Sequence, residues 1–140
     1  MPAIPVLVIE DRPEIRQALV ILLEHAGYLP RGASTCAEAR ELVRELDFNA
    51  ILLDLKLPDG SGLAFCGELR ALAPRAPVVI ITGDSTTVTE DEARAQGAVG
   101  LLNKPFGYAQ LEAVLRRVLD QDHGGQRAAA EREEPRGRME

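Results

Sequence analysis

A chain of 140 residues with a net charge of −6, 46% hydrophobic and 27% charged residues has the size and mix of one folded domain. With aromatics at 4% and no Trp, it lacks the basic face and the stacking rings that a general nucleic-acid binder needs. It carries no apolar run near the ~20 residues of a membrane span, no secretory leader, and too few cysteines (Cys36 and Cys66) for a disulfide framework or zinc site, so a cytoplasmic protein with two reduced thiols is expected.

Val6-Leu7-Val8-Ile9 is a continuous apolar run, the pattern of a strand covered on both faces. Pro13 follows, and Ile15, Ala18, Leu19, Leu22 and Ala26 recur at helical spacing until Gly27. Tyr28 to Ala33 is a weaker strand whose Pro30 suits a sheet edge. Thr35 and Glu38 form a capping box before a helix striped by Ala39, Leu42, Val43 and Leu46. Ala50-Ile51-Leu52-Leu53 is the next buried strand, residues 58–62 a loop, and Leu63 to Leu72 a helix. Val78-Val79-Ile80-Ile81 is strand four. Thr89 and Glu92 open a short helix that Gly97 stops, Val99 to Leu102 is strand five, and Leu111, Val114, Leu115 and Val118 stripe the last helix.

Residues 122–140 open with Gly124-Gly125, contain Pro135 and hold almost no large apolar side chain, so they read as a flexible tail or linker stub after a domain over 4–121. Within the tail, a weak short helix around Arg127–Glu134 is allowed. Strands alternating with helices predict a three-layer α/β domain. Its five-stranded parallel sheet takes the flavodoxin-like order 2-1-3-4-5, with the switch point between strands one and three.

In such sheets ligands bind beyond the carboxyl ends of the strands. Strand one ends in Glu10-Asp11, strand three in Asp54, strand four in Thr82-Gly83-Asp84 and strand five in Asn103-Lys104-Pro105. Neighbouring strands one and three place three carboxylates within a few ångströms. Two unit charges about 5 Å apart repel by roughly 3 kcal/mol at an effective dielectric near 20. Either a proton is retained or a cation sits there, and hard oxygen ligands suit Mg²⁺. Lys104 supplies positive charge at the opposite rim and Thr82 a hydroxyl. Around a central Asp54 nucleophile, these groups hold the charge of a transferring phosphoryl group.

Glu10-Asp11, Asp54 with Pro58-Asp59-Gly60 after it, Thr82 and Lys104-Pro105-Phe106 together resemble the receiver domain of bacterial two-component response regulators (CheY-like) over residues 4–121. The resemblance implies a signalling domain rather than an enzyme. In it, Asp54 accepts a phosphoryl group from a phosphohistidine donor, a histidine kinase or a histidine phosphotransfer protein. It implies Mg²⁺, with Mn²⁺ as a substitute, held by Asp11, Asp54, Glu10 and the backbone carbonyl of Lys56. It further implies phosphoryl binding by Thr82 and Lys104, a cis bond before Pro105, and slow autodephosphorylation. Readout is expected on the face of helix four, strand five and helix five, including Arg94, Leu111 and Arg116. A homodimer through that face is compatible with the resemblance; the downstream partner or output domain is unknown, and neither nucleic acid nor membrane is a partner of this domain.

Two positions depart from the family. Receivers commonly carry Tyr or Phe three residues before the lysine, where this chain has Leu101, so the switch of Thr82 and Leu101 works through packing or is weak. Lys56 and Asp84 flank the path of water to a phosphoaspartate, and are expected to form a rate-tuning ion pair.

Blander roles remain for each residue. Asp11 could cap the first helix, Asp54 could be a solvated loop-edge acid, and Thr82 could bond its own strand end. Lys56 and Lys104 are the only lysines of the chain, which favours a chemical need at position 104. His25 and His123 are expected on the surface. A haloacid dehalogenase-class phosphatase normally has a second Asp where Lys56 stands. A flavin carrier would need a hydroxyl-rich loop after strand one, where Glu10-Asp11 would repel flavin phosphate. A pseudo-receiver, a binding module without phosphorylation, is the remaining alternative.

Overall fold

The computed structural model describes residues 3–83 and 88–131, with side chains described to residue 120. Strand β1 (Ile4–Ile9) leads into helix α1 (Pro13–His25), β2 (Tyr28–Ala33), α2 (Cys36–Glu45) and β3 (Ala50–Asp54). Two short strands follow, β4 (Lys56–Leu57) and β5 (Gly60–Ser61), and then α3 (Gly62–Leu72), β6 (Val78–Thr82), α4 (Glu90–Ala95), β7 (Gly100–Asn103) and α5 (Tyr108–Glu131).

The main sheet is parallel, in the order β2-β1-β3-β6-β7. This is the flavodoxin-like path expected; only the labels differ, because Gly60 and Ser61 of the stretch read as a loop pair with Leu57 and Lys56 just before it in a small antiparallel ladder. A two-residue strand leaves no periodicity to read.

Strand alternation divides the core. Leu7, Ile9, Ile51, Leu53, Val78 and Ile80 face α2, α3 and α4, meeting Ala39, Phe65, Leu69 and Ala93. Val6, Val8, Ala50, Leu52, Val79 and Ile81 face α1 and α5, meeting Leu19, Leu23, Leu111, Leu115 and Val118. Both faces are covered, which is why the strands read as unbroken apolar runs. Pro30 sits in edge strand β2, where the outward side of the ladder needs no donor.

Helix ends follow their local chemistry. Thr89 Oγ1 accepts from Glu92 N at 3.1 Å while the Glu92 carboxylate accepts from Thr89 N at 2.8 Å, a complete capping box. At α2, Thr35 accepts from Glu38 N, but Glu38 turns to Ser34 N rather than to Thr35 N. Gly27 and Gly97 stop α1 and α4 with φ of 95° and 98°, a left-handed conformation that a side chain disfavours.

Two stripe residues and one surface residue are corrected. In α1 the buried partner of Leu19 is Leu23, while Ala18 is exposed. Leu46 lies one residue past α2 and is exposed. Leu111, expected on the readout surface, is buried at 1% because it belongs to the inward stripe of α5. Helix α5 runs to Glu131, through residues that composition assigns to the tail. No helix among the described residues is long and apolar enough to cross a membrane.

Candidate functional site

Parallel register assembles the site. Ile9 lies beside Leu53, which carries Glu10 next to Asp54 one residue further on. Thr82 lies beside Asn103, which brings Lys104 over the same end of the sheet, and Lys104 N donates to Thr82 O at 2.7 Å. The Lys104-Pro105 peptide bond is cis.

Glu10, Asp11 and Asp54 each present a carboxylate oxygen within 4.8 Å of the others. Asp11, Asp54, Lys56, Thr82 and Lys104 line one open cleft of about 560 Å³, with Arg12, Ser61 and Leu63 along its sides. Glu10 is buried at 1%, Asp54 at 5% and Thr82 at 3%. Three acids gathered this tightly need a compensating cation.

Part of that compensation is internal, and it corrects the expected position of Lys104. The Lys104 ammonium donates to Glu10 Oε1 at 2.9 Å and lies 3.7 Å from Asp54 Oδ2. It sits among the acids rather than on an opposite rim, because its long side chain reaches across the ends of β6 and β3 and burial favours opposite charges in contact. Glu10 Oε2 accepts from Arg12 N at 3.2 Å, so both its oxygens are engaged. Asp11 is half-exposed and faces the cleft, and the N-cap of α1 is Arg12, without a side-chain cap, so Asp11 is not the helix cap.

The segment after Asp54 is held from two sides. Asp59 accepts from Cys36 N at 2.8 Å and Ala37 N at 3.0 Å, binding the hairpin tip to the N-terminus of α2. Those two backbone donors hold the Asp59 carboxyl below the ordinary carboxylate range. Gly62 N donates to Leu55 O at 2.8 Å, and a Cβ on Gly62 would stand 2.4 Å from Asp54 O, so only glycine allows this approach. Burial, followed by the Asp59 charge, pushes the Cys36 thiol up to about 11; burial pushes Cys66 up to about 11 as well. Neither is poised to react at neutral pH.

Lys56 is exposed, and its N–H donates to Asp54 Oδ1 at 3.4 Å. Its expected partner Asp84 lies outside the described residues, as does the side chain of His123. Leu101 is half-buried against the cluster that contains Val88, Ala93 and Ala98. Arg94 and Arg116 are exposed and pair with Glu90 and Glu112 on their own helices. His25 is exposed at the end of α1.

Sequence reading assigned no role to Asp59, Gly62 or Arg16, whose guanidinium donates to Glu10 O at 2.8 Å. The partner of Asp59 is a helix start 23 residues earlier, and no local pattern announces it.

Comparison with known proteins places these features in context. The profile of the response regulator receiver domain matches residues 6–116. The transcriptional regulatory protein KdpE of Mycobacterium tuberculosis is 38% identical over 130 residues, covering 93% of this chain and 55% of that protein. The response regulator protein PilR of Pseudomonas aeruginosa is 34% identical over 113 residues, covering 81% of this chain and 25% of that protein. A response regulator protein from Burkholderia pseudomallei, solved with a phosphorylated aspartic acid, a calcium ion and citrate, superimposes with a TM-score of 0.76 at 30% identity, over 94% of this chain and 75% of that one. The chain thus spans between about a quarter and about half of the length of these two curated relatives.

Proposed function

This chain belongs to the response regulator receiver domain family, and on that premise we propose that Asp54 is its phosphoacceptor. The donor is a phosphohistidine on a histidine kinase or phosphotransfer protein. An Asp54 carboxylate oxygen forms the new bond to phosphorus as the nitrogen–phosphorus bond of the donor breaks, and the imidazole leaves neutral after taking up a proton. The observation that carries this reading is the cleft in which Asp54 lies among two further carboxylates, an ammonium and a threonine.

The donor set fits a divalent cation: clustered hard oxygens, two of the three acids lining an open cleft, and room for the waters that Mg²⁺ retains. Asp11, Asp54 and the Lys56 carbonyl would hold it, with Glu10 contributing charge from behind, directly or through water. When bound, such an ion neutralises charge on the transferring phosphoryl oxygens. Mn²⁺ suits the same oxygens.

The chain's own residues do the rest. Lys104 exchanges part of its contact with Glu10 and Asp54 for a phosphoryl oxygen, and Thr82 donates its hydroxyl to another. These new partners bias a pre-existing equilibrium of α4, β7 and α5. Leu101 transmits through packing rather than through a ring. The domain spans residues 4–121, dephosphorylates itself slowly, works in the cytoplasm, and passes its state to a partner or output domain, with self-association through the same face as one route.

Intact-mass measurement after incubation with Mg²⁺ and acetyl phosphate tests the reading. The expected result is one added phosphoryl group, lost in Asp54→Asn and absent when Mg²⁺ is chelated. No mass gain in the parent protein would support instead a pseudo-receiver that binds its partner without phosphorylation.

A further inference from the structure

Asp11 and Glu10 occupy the turn between β1 and α1, where three acids push one another apart. That turn has no side-chain cap, and the helix it opens begins at Pro13. Lys104 and the Arg12 N–H hold the Glu10 carboxylate, and the main-chain carbonyls of the turn are met by Arg16, in the first turns of α1. Its guanidinium Nη1 donates to the carbonyl of Glu10 at 2.8 Å and lies 3.4 Å from the carbonyl of Asp11. One planar cation thus meets the main chain of both consecutive acids, and brings positive charge to the back of the cluster.

The path of this side chain runs across β2. Gly32 lies beside Val8 in the sheet, and a Cβ there would stand 3.1 Å from Arg16 Cδ and 3.2 Å from Cγ. The missing side chain at position 32 is the gap through which Arg16 reaches back to the end of β1.

We propose that Arg16, admitted by Gly32, is a positioning residue that sets the direction of the Asp11 carboxylate for cation binding. The proposal rests on the reading of the cleft as a divalent-cation site. It assigns the sheet-edge strand β2, which contributes no residue to the cleft, a share in ion affinity. Arginine is required rather than lysine, because both contacts are made by Nη1, one bond farther along the side chain than a lysine ammonium reaches, and the planar guanidinium fixes its direction.

The test is Mn²⁺ titration of the full chain, followed by the paramagnetic resonance signal of the free ion, in the parent protein and in Arg16→Ala, Arg16→Lys, Gly32→Ala and the Arg16→Ala/Gly32→Ala double variant. Residues outside the ligand set typically change metal affinity by about 10–100-fold. Arg16→Ala is expected to weaken binding by about tenfold or more, with Arg16→Lys recovering only part. Gly32→Ala is expected to weaken it in the parent but to add nothing once Arg16 is gone. In phosphorylation by acetyl phosphate, Arg16→Ala should raise the Mg²⁺ concentration for half-maximal rate and leave the saturated rate nearly unchanged.

A parent protein that binds no Mn²⁺ overturns the cation-site reading itself. A parent that binds, with Arg16→Ala within twofold of it, overturns the role of Arg16 alone. Full recovery by Arg16→Lys reduces the effect to charge and overturns positioning, and equal losses from Gly32→Ala in both backgrounds overturn the coupling. Gly32→Ala and Arg16→Lys remain decisive if Arg16→Ala does not fold.

Discussion

Lys56 and Lys104 share a residue type but not an environment. Lys104 is drawn in among Glu10 and Asp54, whereas the Lys56 side chain is exposed at the mouth of the cleft. Removing Lys104 leaves a buried carboxylate at position 10 without its cation, which costs far more than the loss of an exposed pair. The proposed shielding of Asp54 by Lys56 predicts that Lys56→Ala, once phosphorylated and freed of donor, loses its phosphoryl group severalfold faster than the parent. Following the phosphorylated mass with time measures this, and an unchanged lifetime discards the role of Lys56.

At the scale of elements, the joint between the β4–β5 hairpin and α2 stands out. Asp59 accepts from two backbone donors at the helix start and is held below its ordinary pKa. An unfolded chain would bind the proton near pH 3.9. The folded chain holds it off to lower pH, so the stabilisation is complete above that value and is lost as pH falls through the folded one. Asp59→Asn keeps an acceptor but no charge. Its thermal midpoint is expected below the parent's at pH 7, with the gap narrowing as pH falls below about 4; a gap independent of pH would show that the charge of Asp59 contributes nothing. A second joint joins α2 to α3, where Arg40 pairs with Glu68 and lies 5.2 Å from the centre of the Phe65 ring. Both joints lie on the face opposite α1 and α5, so the segment after Asp54 is braced from the α2–α3 layer.

For the molecule as a whole, the sheet and its two apolar layers form one body, and α5 belongs to it only as far as its inward stripe reaches. Leu111, Leu115, Val118 and Leu119 are buried. Residues 122–140 add little apolar surface. Leu115→Ala should therefore lower unfolding free energy by about 2–5 kcal/mol, read from the urea midpoint. Removing residues 122–140 should leave that midpoint and the capacity for phosphorylation nearly unchanged. A truncated chain as unstable as Leu115→Ala would show that the helix beyond 121 is part of the fold rather than an extension of it.

Fold class and the elements of the cleft were legible because both follow from rules that act locally. Unbroken apolar runs such as Val78 to Ile81 signal strands covered twice, and polar residues that end such runs must emerge at one edge of a parallel sheet. The amino-acid sequence by itself thus determined the layers, the sheet path and the company of Glu10, Asp11, Asp54, Thr82 and Lys104. Only the tertiary structure decided how those groups are charged and braced. The contact of Lys104 with Glu10 joins residues 94 apart, Asp59 caps a helix 23 residues before it, and Arg16 passes through the gap at Gly32. Such pairings depend on register between strands and on where a side chain finds space, and neither is carried by any window of neighbouring residues.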